Sequence, residues 1–339
     1  MPTAVETTGP NSSTGDRAHD FSEARAWIVT DGKAGDENQC IGLAETLGLR
    51  FEIRRVAPRP PFRWLAPWGP VDPRDRPGRG VLTGALPDIL IASGRQAVPY
   101  LRAIRRASRG SVFTAFLKDP RTGAATADFV WVPDYDDLRG PNVLTTATPP
   151  HRVTAGRLAA ARACPDRRLS ALPRPRVAVL IGGDSRHLDY RAPDMARLVA
   201  DLTALAGDGA SLMLTVSRRT PPALRETLKA LVAETGGFFW DGSDENPYVA
   251  MLALADAVVV TSDSANMVGE AASTGAAVML FELPNTYIRH RRFFAGLAAR
   301  GALTPFTGRL EVGRYEPIDA TPAIADALAQ SYIRHRARR

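Results

Sequence analysis

Residues 259–282, VVTSDSANMVGEAASTGAAVMLFE, leave little freedom of fold, because an apolar β-branched run, small polar residues, a short helical stretch, a glycine and a second apolar run follow without spacers. Two extended runs joined through a helix make a parallel crossover. Val258, Val259 and Val260 suit a buried parallel strand, and Thr261, Ser262, Asp263 and Ser264 then open a helix that Asp263 or Ser264 can cap. The first-turn amides of Ala265, Asn266 and Met267 point out of such a helix, and a phosphate placed there gains roughly 0.3–2 kcal/mol from the helix dipole. Glu270 lies one and a half turns further on, within reach of vicinal hydroxyls such as those of a ribose. Gly275 ends the helix. Any capped strand–helix–strand unit shares this pattern, so the rest of the chain has to decide.

The alternation extends along the chain. Residues 1–24 are polar with one aromatic and read as a disordered leader. Ala26–Thr30 reads as a first strand, DGKAGDENQ as a loop, Asn38–Leu47 as a helix stopped at Gly48, and Phe51–Val56 as a second strand. Residues 57–80 hold seven prolines with Trp64 and Trp68, which suits an irregular surface loop anchored by its aromatics. Strands at Ile89–Ala92, Val112–Leu117 and Phe129–Val132 complete an N-terminal domain over 25–150. A helix over Val153–Ala163 and a proline-rich segment make a linker over 151–175. The pattern then repeats: strand Arg176–Ile181, helix to about Leu205, strand Ser211–Val216, helix 222–235, strand Phe238–Trp240. The expected fold is α/β, two facing Rossmann-like doubly wound domains with a ligand cleft between them, the second spanning 176–315, followed by a helix and basic tail over 316–339.

Composition narrows the class of partner. The 339 residues carry 43 Lys+Arg against 36 Asp+Glu, a net charge of +7, which favours anionic ligands. No apolar run reaches the ~18–20 residues of a membrane span, and the N-terminus lacks the order of a signal peptide, so a cytoplasmic location is expected. Arg289-His290-Arg291-Arg292 beside Phe293 and Phe294 suits either a solvated helix end or peripheral contact with an anionic membrane. Cys40 and Cys164 are too few for a disulfide framework or a cysteine zinc site. No nucleic-acid-binding motif occurs, and nucleic acid is not an expected partner. GxxxxGK[ST], GxGxxG after the first strand, and GxSxG are all absent, which argues against a P-loop NTPase, a nicotinamide enzyme and a serine hydrolase.

Residues 27–39, WIVTDGKAGDENQ, the segment TSDSANMVGEAASTG and, between them, VLIGG resemble the Elm-type mitochondrial fission protein family, over about 25–315. Its bacterial members are often described as nucleoside-diphosphate-sugar epimerases. The second half also resembles the donor domain of glycosyltransferases with two facing Rossmann-like domains, such as the peptidoglycan N-acetylglucosaminyltransferase. The resemblance implies the fold; for activity it implies a nucleotide-sugar ligand at most.

In a nucleotide-sugar reading, Gly182 and Gly183 let backbone approach a ligand and Ser185 donates to a phosphate, although a turn needed only for chain reversal reads the same way. Ser217 and Arg218 follow the next strand, where an arginine can form a bidentate pair with a diphosphate. With Ser262, Ser264, Ala265, Asn266, Met267 and Glu270 they make the donor-side set. The first domain would hold the acceptor beside Lys33, Arg95 and Lys118, with Asp31, then Asp119, as base. Either aspartate can equally cap its own turn. His151 stands at the hinge, facing the cleft or packing within it. Asp134-Tyr135-Asp136 matches a DxD metal motif that belongs to another fold, so no metal and no cofactor is expected. The expected function is metal-independent glycosyl transfer from a nucleoside diphosphate sugar to an unknown acceptor. The alternatives are a nucleotide-sugar 2-epimerase and a non-catalytic membrane-surface or division-related protein that keeps the fold.

Overall fold

The computed structural model describes residues 21, 23–185 and 188–339; the leader expected at the N-terminus lies almost entirely outside them. Two all-parallel six-stranded sheets carry the architecture. The first contains β1 (Arg25–Thr30), β2 (Arg50–Arg55), β3 (Ile89–Ser93), β4 (Phe113–Leu117), β5 (Phe129–Pro133) and β6 (Val143–Thr146), in the order β2-β1-β3-β4-β5-β6. It is flanked by α1 (Ala34–Thr46) and α3 (Val98–Ala107), and the short α2 (Phe62–Leu65) sits in the proline-rich loop. After α4 (Ala155–Ala163) and α5 (Arg167–Ser170), the second sheet contains β7 (Arg176–Ile181), β8 (Ser211–Val216), β9 (Phe238–Trp240), β10 (Ala257–Thr261), β11 (Ala277–Phe281) and β12 (Leu303–Pro305), in the order β12-β11-β10-β7-β8-β9. Its helices are α6 (Ala192–Gly207), α7 (Pro222–Thr235), α8 (Tyr248–Leu254), α9 (Ala265–Ala272) and α10 (Ile288–Ala298), and α11 (Thr321–Ala337) closes the chain.

Central strands are apolar along their length because helices cover both faces of each sheet. All five residues of β3, β4, β5 and β10 are buried. The edge strands β6 and β12, which the sequence reading passes over, are short and only partly buried, so neither shows a continuous apolar run. Helix α1 starts four residues before the expected Asn38, because Ala34-Gly35-Asp36-Glu37 read as a polar loop but form its first turn. Each sheet reverses strand order once, between β1 and β3 in the first and between β7 and β10 in the second. The paired ends are nearly flush, Thr30 beside Ser93 and Val260 beside Leu180. Crevices at the carboxyl ends of strands form at such reversal points.

The chain crosses between domains twice. The outward crossing runs through Thr148-Pro149-Pro150-His151, and the return arrives at α11, whose Ile324, Leu328 and Tyr332 pack into the core of the first sheet. Tyr332 stacks edge-on against Phe113 at 5.6 Å and lies 5.7 Å from Phe21, a residue the sequence reading had left in the leader. The crossings are bonded to each other: the His151 amide donates to Thr321 Oγ1 at 3.2 Å and the Ala320 amide to Thr148 Oγ1 at 3.1 Å. Val153, Leu158 and Leu169 of the expected linker are buried in the core of the second domain. Tyr332→Ala is expected to cost about 3–5 kcal/mol, read in denaturant unfolding as loss of stability of the first domain.

Candidate functional site

The carboxyl ends of the two sheets face each other across a cleft of about 770 Å³. On the second-domain side, Ser264 caps α9 by accepting from the Met267 amide at 3.4 Å. The amides of Ala265 and Asn266 precede any intrahelical acceptor, and both residues line the cleft. Opposite them lies the amino end of α1, with Lys33, Asp36 and Gln39 lining the same space. Gln39 Nε2 donates to Asn266 Oδ1 at 2.7 Å, and a Cβ at Gly35 would collide with the Asn266 side chain. Two positively polarised helix ends therefore meet at one cleft.

Cations surround this meeting point. Lys118 is ion-paired with Asp36, and Arg289 pairs with buried Asp136 at 2.5 Å, tying α10 to the first domain. Arg219 donates to the Asp184 carbonyl at 2.8 Å while lining the cleft. Arg95 also lines it and is anchored to the Ala66 carbonyl at 2.8 Å. Lys118 (φ 79°) and Arg121 (φ 61°) both hold left-handed backbone in one four-residue turn, a conformation that costs a non-glycine residue of order 1 kcal/mol or more and that clusters at functional sites.

Besides Asp36, which is paired with Lys118, the cleft is lined by Asp119, Asp136, Asp263 and His290, groups that can accept a proton. Asp119 lines the cleft, and its Oδ1 takes the Arg121 amide at 2.7 Å. Burial raises the Asp136 carboxyl despite Arg289. Burial lowers the His290 imidazole, opposed by its bond to the Ser262 carbonyl, so His290 is neutral at ordinary pH. Asp263, considered in the sequence only as a cap, instead turns back toward β7. It accepts from the Gly183 amide at 2.8 Å, Tyr190 Oη at 2.8 Å and Thr261 Oγ1 at 2.7 Å. Burial raises its pKa against these bonds.

Glu270 sits further along α9 and accepts from Tyr248 Oη at 2.6 Å. Burial raises its carboxyl from 4.5 to about 7, and the tyrosine hydroxyl partly offsets that rise. Asn246, before α8, accepts the Tyr248 amide at 3.0 Å.

The structure brings Lys33, Arg95, Lys118, Asp119, Ser264, Ala265 and Asn266 together at the cleft. Others lie elsewhere. Arg218 is exposed and is not among the residues that line the cleft, whereas its neighbour Arg219 is. Ser217 serves its own turn, its Oγ accepting the Arg219 amide at 3.0 Å. Ser262 is fully buried, bonded to Thr286 Oγ1 at 2.5 Å and to the Leu283 amide at 2.9 Å. Met267 packs against the core beneath α9. Asp31 is wedged against Gly94 and paired with Lys33 at 2.6 Å, its side chain only 2% exposed, beside the cleft rather than in it. His151 is buried in the hinge, its Nε2 3.4 Å from Asp319 and its carbonyl against Gly42, not in the cleft. Ser185 pairs with Leu188 in an isolated bridge. The space left by the missing side chains of Gly182 and Gly183 is filled by the Asp263 carboxylate and by the Arg219 backbone. Phe293 and Phe294 are buried, whereas Tyr287 and Ile288, just before the basic segment at 289–292, are exposed. Among the described residues no group of three or more His, Cys, Asp or Glu converges as a metal site, and no helix is long and apolar enough to cross a membrane.

Residues 34–332 match the Mitochondrial fission ELM1 family. The chain belongs to that family. The match begins within the DGKAGDENQ segment and extends past the resemblance read from the sequence to take in α11. An ELM1-family relative, Mitochondrial fission protein ELM1 of Arabidopsis thaliana, is 27% identical over 383 residues, covering 89% of each chain. Among solved structures, the UDP-GlcNAc 2-epimerase of Methanocaldococcus jannaschii superposes with a TM-score of 0.53 at 10% identity, covering 90% of this chain and 99% of that one. A S. aureus MnaA–UDP co-structure gives 0.53 at 12% identity, covering 91% and 88%. At these identities the likeness establishes the fold of this ELM1-family chain alone: two facing Rossmann-like domains, as in the 2-epimerase.

Two outcomes are expected. Gly182→Ala forces the Asp263 carboxylate to move, with a loss of a few kcal/mol in unfolding experiments. Because the Glu270 carboxyl binds its proton more tightly folded than unfolded, its contribution to stability is lost as pH rises from about 4.5 to about 7. Glu270→Gln removes that contribution from the pH profile of stability, and Tyr248→Phe moves the Glu270 titration further upward in carboxyl NMR.

Proposed function

We propose that this protein binds a nucleoside diphosphate sugar between its domains and transfers the glycosyl group without a bound metal. The observation that carries this reading is the capped amino end of α9 opening onto a cation-lined cleft at the strand-order reversal, with a carboxylate one and a half turns down the same helix. The diphosphate would sit on the Ala265 and Asn266 amides, with Arg219 and Arg289 as counter-charges. Glu270, held by Tyr248, would accept hydroxyls of the nucleoside ribose. The solved 2-epimerase of Neisseria meningitidis was crystallised with UDP-GlcNAc, and the MnaA structure with UDP, which supports a uridine nucleotide as the first ligand to try.

In the transfer, an acceptor oxygen bonds to the sugar C1 as the bond from C1 to the phosphate oxygen breaks. The diphosphate leaves with the bonding electron pair, and the acceptor proton passes to Asp119 or to neutral His290. The two groups stand on opposite domains, and that placement also suits a 2-epimerase, in which one removes and the other returns a proton on the sugar. Solvent deuterium at C2 without net cleavage would mark epimerisation; acceptor-dependent release of the nucleoside diphosphate would mark transfer.

Binding is tested by thermal shift against UDP, GDP, ADP, CMP and dTDP sugars. One of them is expected to raise Tm, with Arg219→Ala and Glu270→Ala each weakening binding about tenfold or more and Arg218→Ala leaving it unchanged. Failure of every nucleotide sugar to shift Tm, or equal binding by all variants, overturns the assignment.

A further inference from the structure

Outside the cleft, the most unusual surface belongs to the proline-rich loop. Trp64 is 71% exposed, Leu65 49% and Trp68 68%. The sequence reading takes these aromatics as the anchors of the loop; the structure reverses that role. The anchors are arginines beneath it. Arg102 donates to the carbonyls of Pro67 at 2.6 Å, Trp68 at 3.0 Å and Gly69 at 2.9 Å, and Arg95 donates to Ala66 and Arg63. Arg59 pairs with Asp72 at 2.7 Å. The loop is therefore pinned through its backbone, and two indoles and a leucine are held out into solvent by design of the hydrogen bonds rather than by slack. Leaving that much apolar area in water is unfavourable, and contiguous exposed patches of this kind mark contact surfaces.

The charge around the patch specifies the contact. Residues 57–71 contain no Asp or Glu, and exposed Arg59 and Arg63 flank the tryptophans. The next two acids are turned inward, Asp72 onto Arg59 and Asp75 onto Tyr100 Oη at 3.0 Å. An apolar tip carrying two indoles, rimmed by guanidinium groups and free of carboxylates, matches the interfacial layer of an anionic bilayer, where indoles sit at the headgroup boundary and arginines meet lipid phosphates. We propose that Trp64, Leu65 and Trp68 dock the protein on an anionic membrane surface. This inference stands apart from the nucleotide-sugar reading. It also assigns membrane contact to a different element from the basic segment at 289–292 and from the tail, since α11 packs on the opposite face of the first sheet from α3 and this loop.

The test is co-sedimentation of the full chain with vesicles of phosphatidylcholine alone or mixed with phosphatidylserine, combined with tryptophan quenching by brominated lipid. Trp27 and Trp131 are buried and Trp240 is half-buried in β9, so the quenching lost in Trp64→Ser/Trp68→Ser reports on the two exposed indoles. Binding is expected only with phosphatidylserine, weakened about tenfold or more in Trp64→Ser/Trp68→Ser, partly kept in Trp64→Phe/Trp68→Phe, and unchanged in Arg334→Glu/Arg338→Glu. The side chains changed lie in solvent, so Tm should not move. Three outcomes overturn the proposal: no binding to either vesicle, binding that survives Trp64→Ser/Trp68→Ser, or lipid-free self-association that this variant abolishes, which would make the patch a subunit interface.

Discussion

The site depends on holding two helix amino ends against each other, an arrangement that electrostatics alone disfavours. Like-polarised ends repel, and nothing in a generic pair of Rossmann-like domains brings them together. Here the Gln39–Asn266 hydrogen bond spans the gap, and Gly35 removes the side chain that would keep the helices apart. Asp36 supplies a counter-charge within the first turn of α1 and in turn fixes Lys118. The result is a cleft onto which two helix amino ends open among the side-chain cations Lys33, Arg95, Lys118, Arg121, Arg219 and Arg289. A preorganised field of that kind needs no rearrangement when an anion arrives.

Much of the arginine content has another use. Arg54, Arg59, Arg95, Arg102, Arg105 and Arg176 all donate to backbone carbonyls or to half-buried carboxylates, stitching loops to the two sheets. A planar guanidinium with five donors can satisfy several carbonyls of an irregular segment at once, which a lysine cannot. The basic composition thus reflects scaffolding as much as attraction for anionic partners, and net charge alone could not separate the two.

The two-domain architecture was legible because buried parallel strands are apolar along their whole length, as in Val258–Val260 and Ile89–Ala92, and because glycine and proline punctuate the crossovers. The cap at Ser264 followed from local chemistry that the fold does not alter. Less legible was anything set by the direction of one side chain beyond a strand end. Arg218 and Arg219 are neighbours in one turn, and only the Ser217 turn geometry decides which faces the cleft. His290 was hidden inside a run of arginines, and it reaches the cleft because it shares one face of α10 with Phe293 and Phe294, at i+3 and i+4. His151, read as either facing the cleft or packing in the hinge, takes the hinge position because the chain returns through the same place and encloses it.

That return has a mechanical consequence. A single covalent connection is a swivel, free to twist as well as bend. Two connections side by side, cross-bonded at Thr148–Ala320 and His151–Thr321, behave as the two pins of a door. Rotation about the line joining them stays soft, while torsion and sliding of one domain over the other are resisted. Opening of the cleft then follows a single coordinate, and each closure brings the α1 and α9 ends back into the same register.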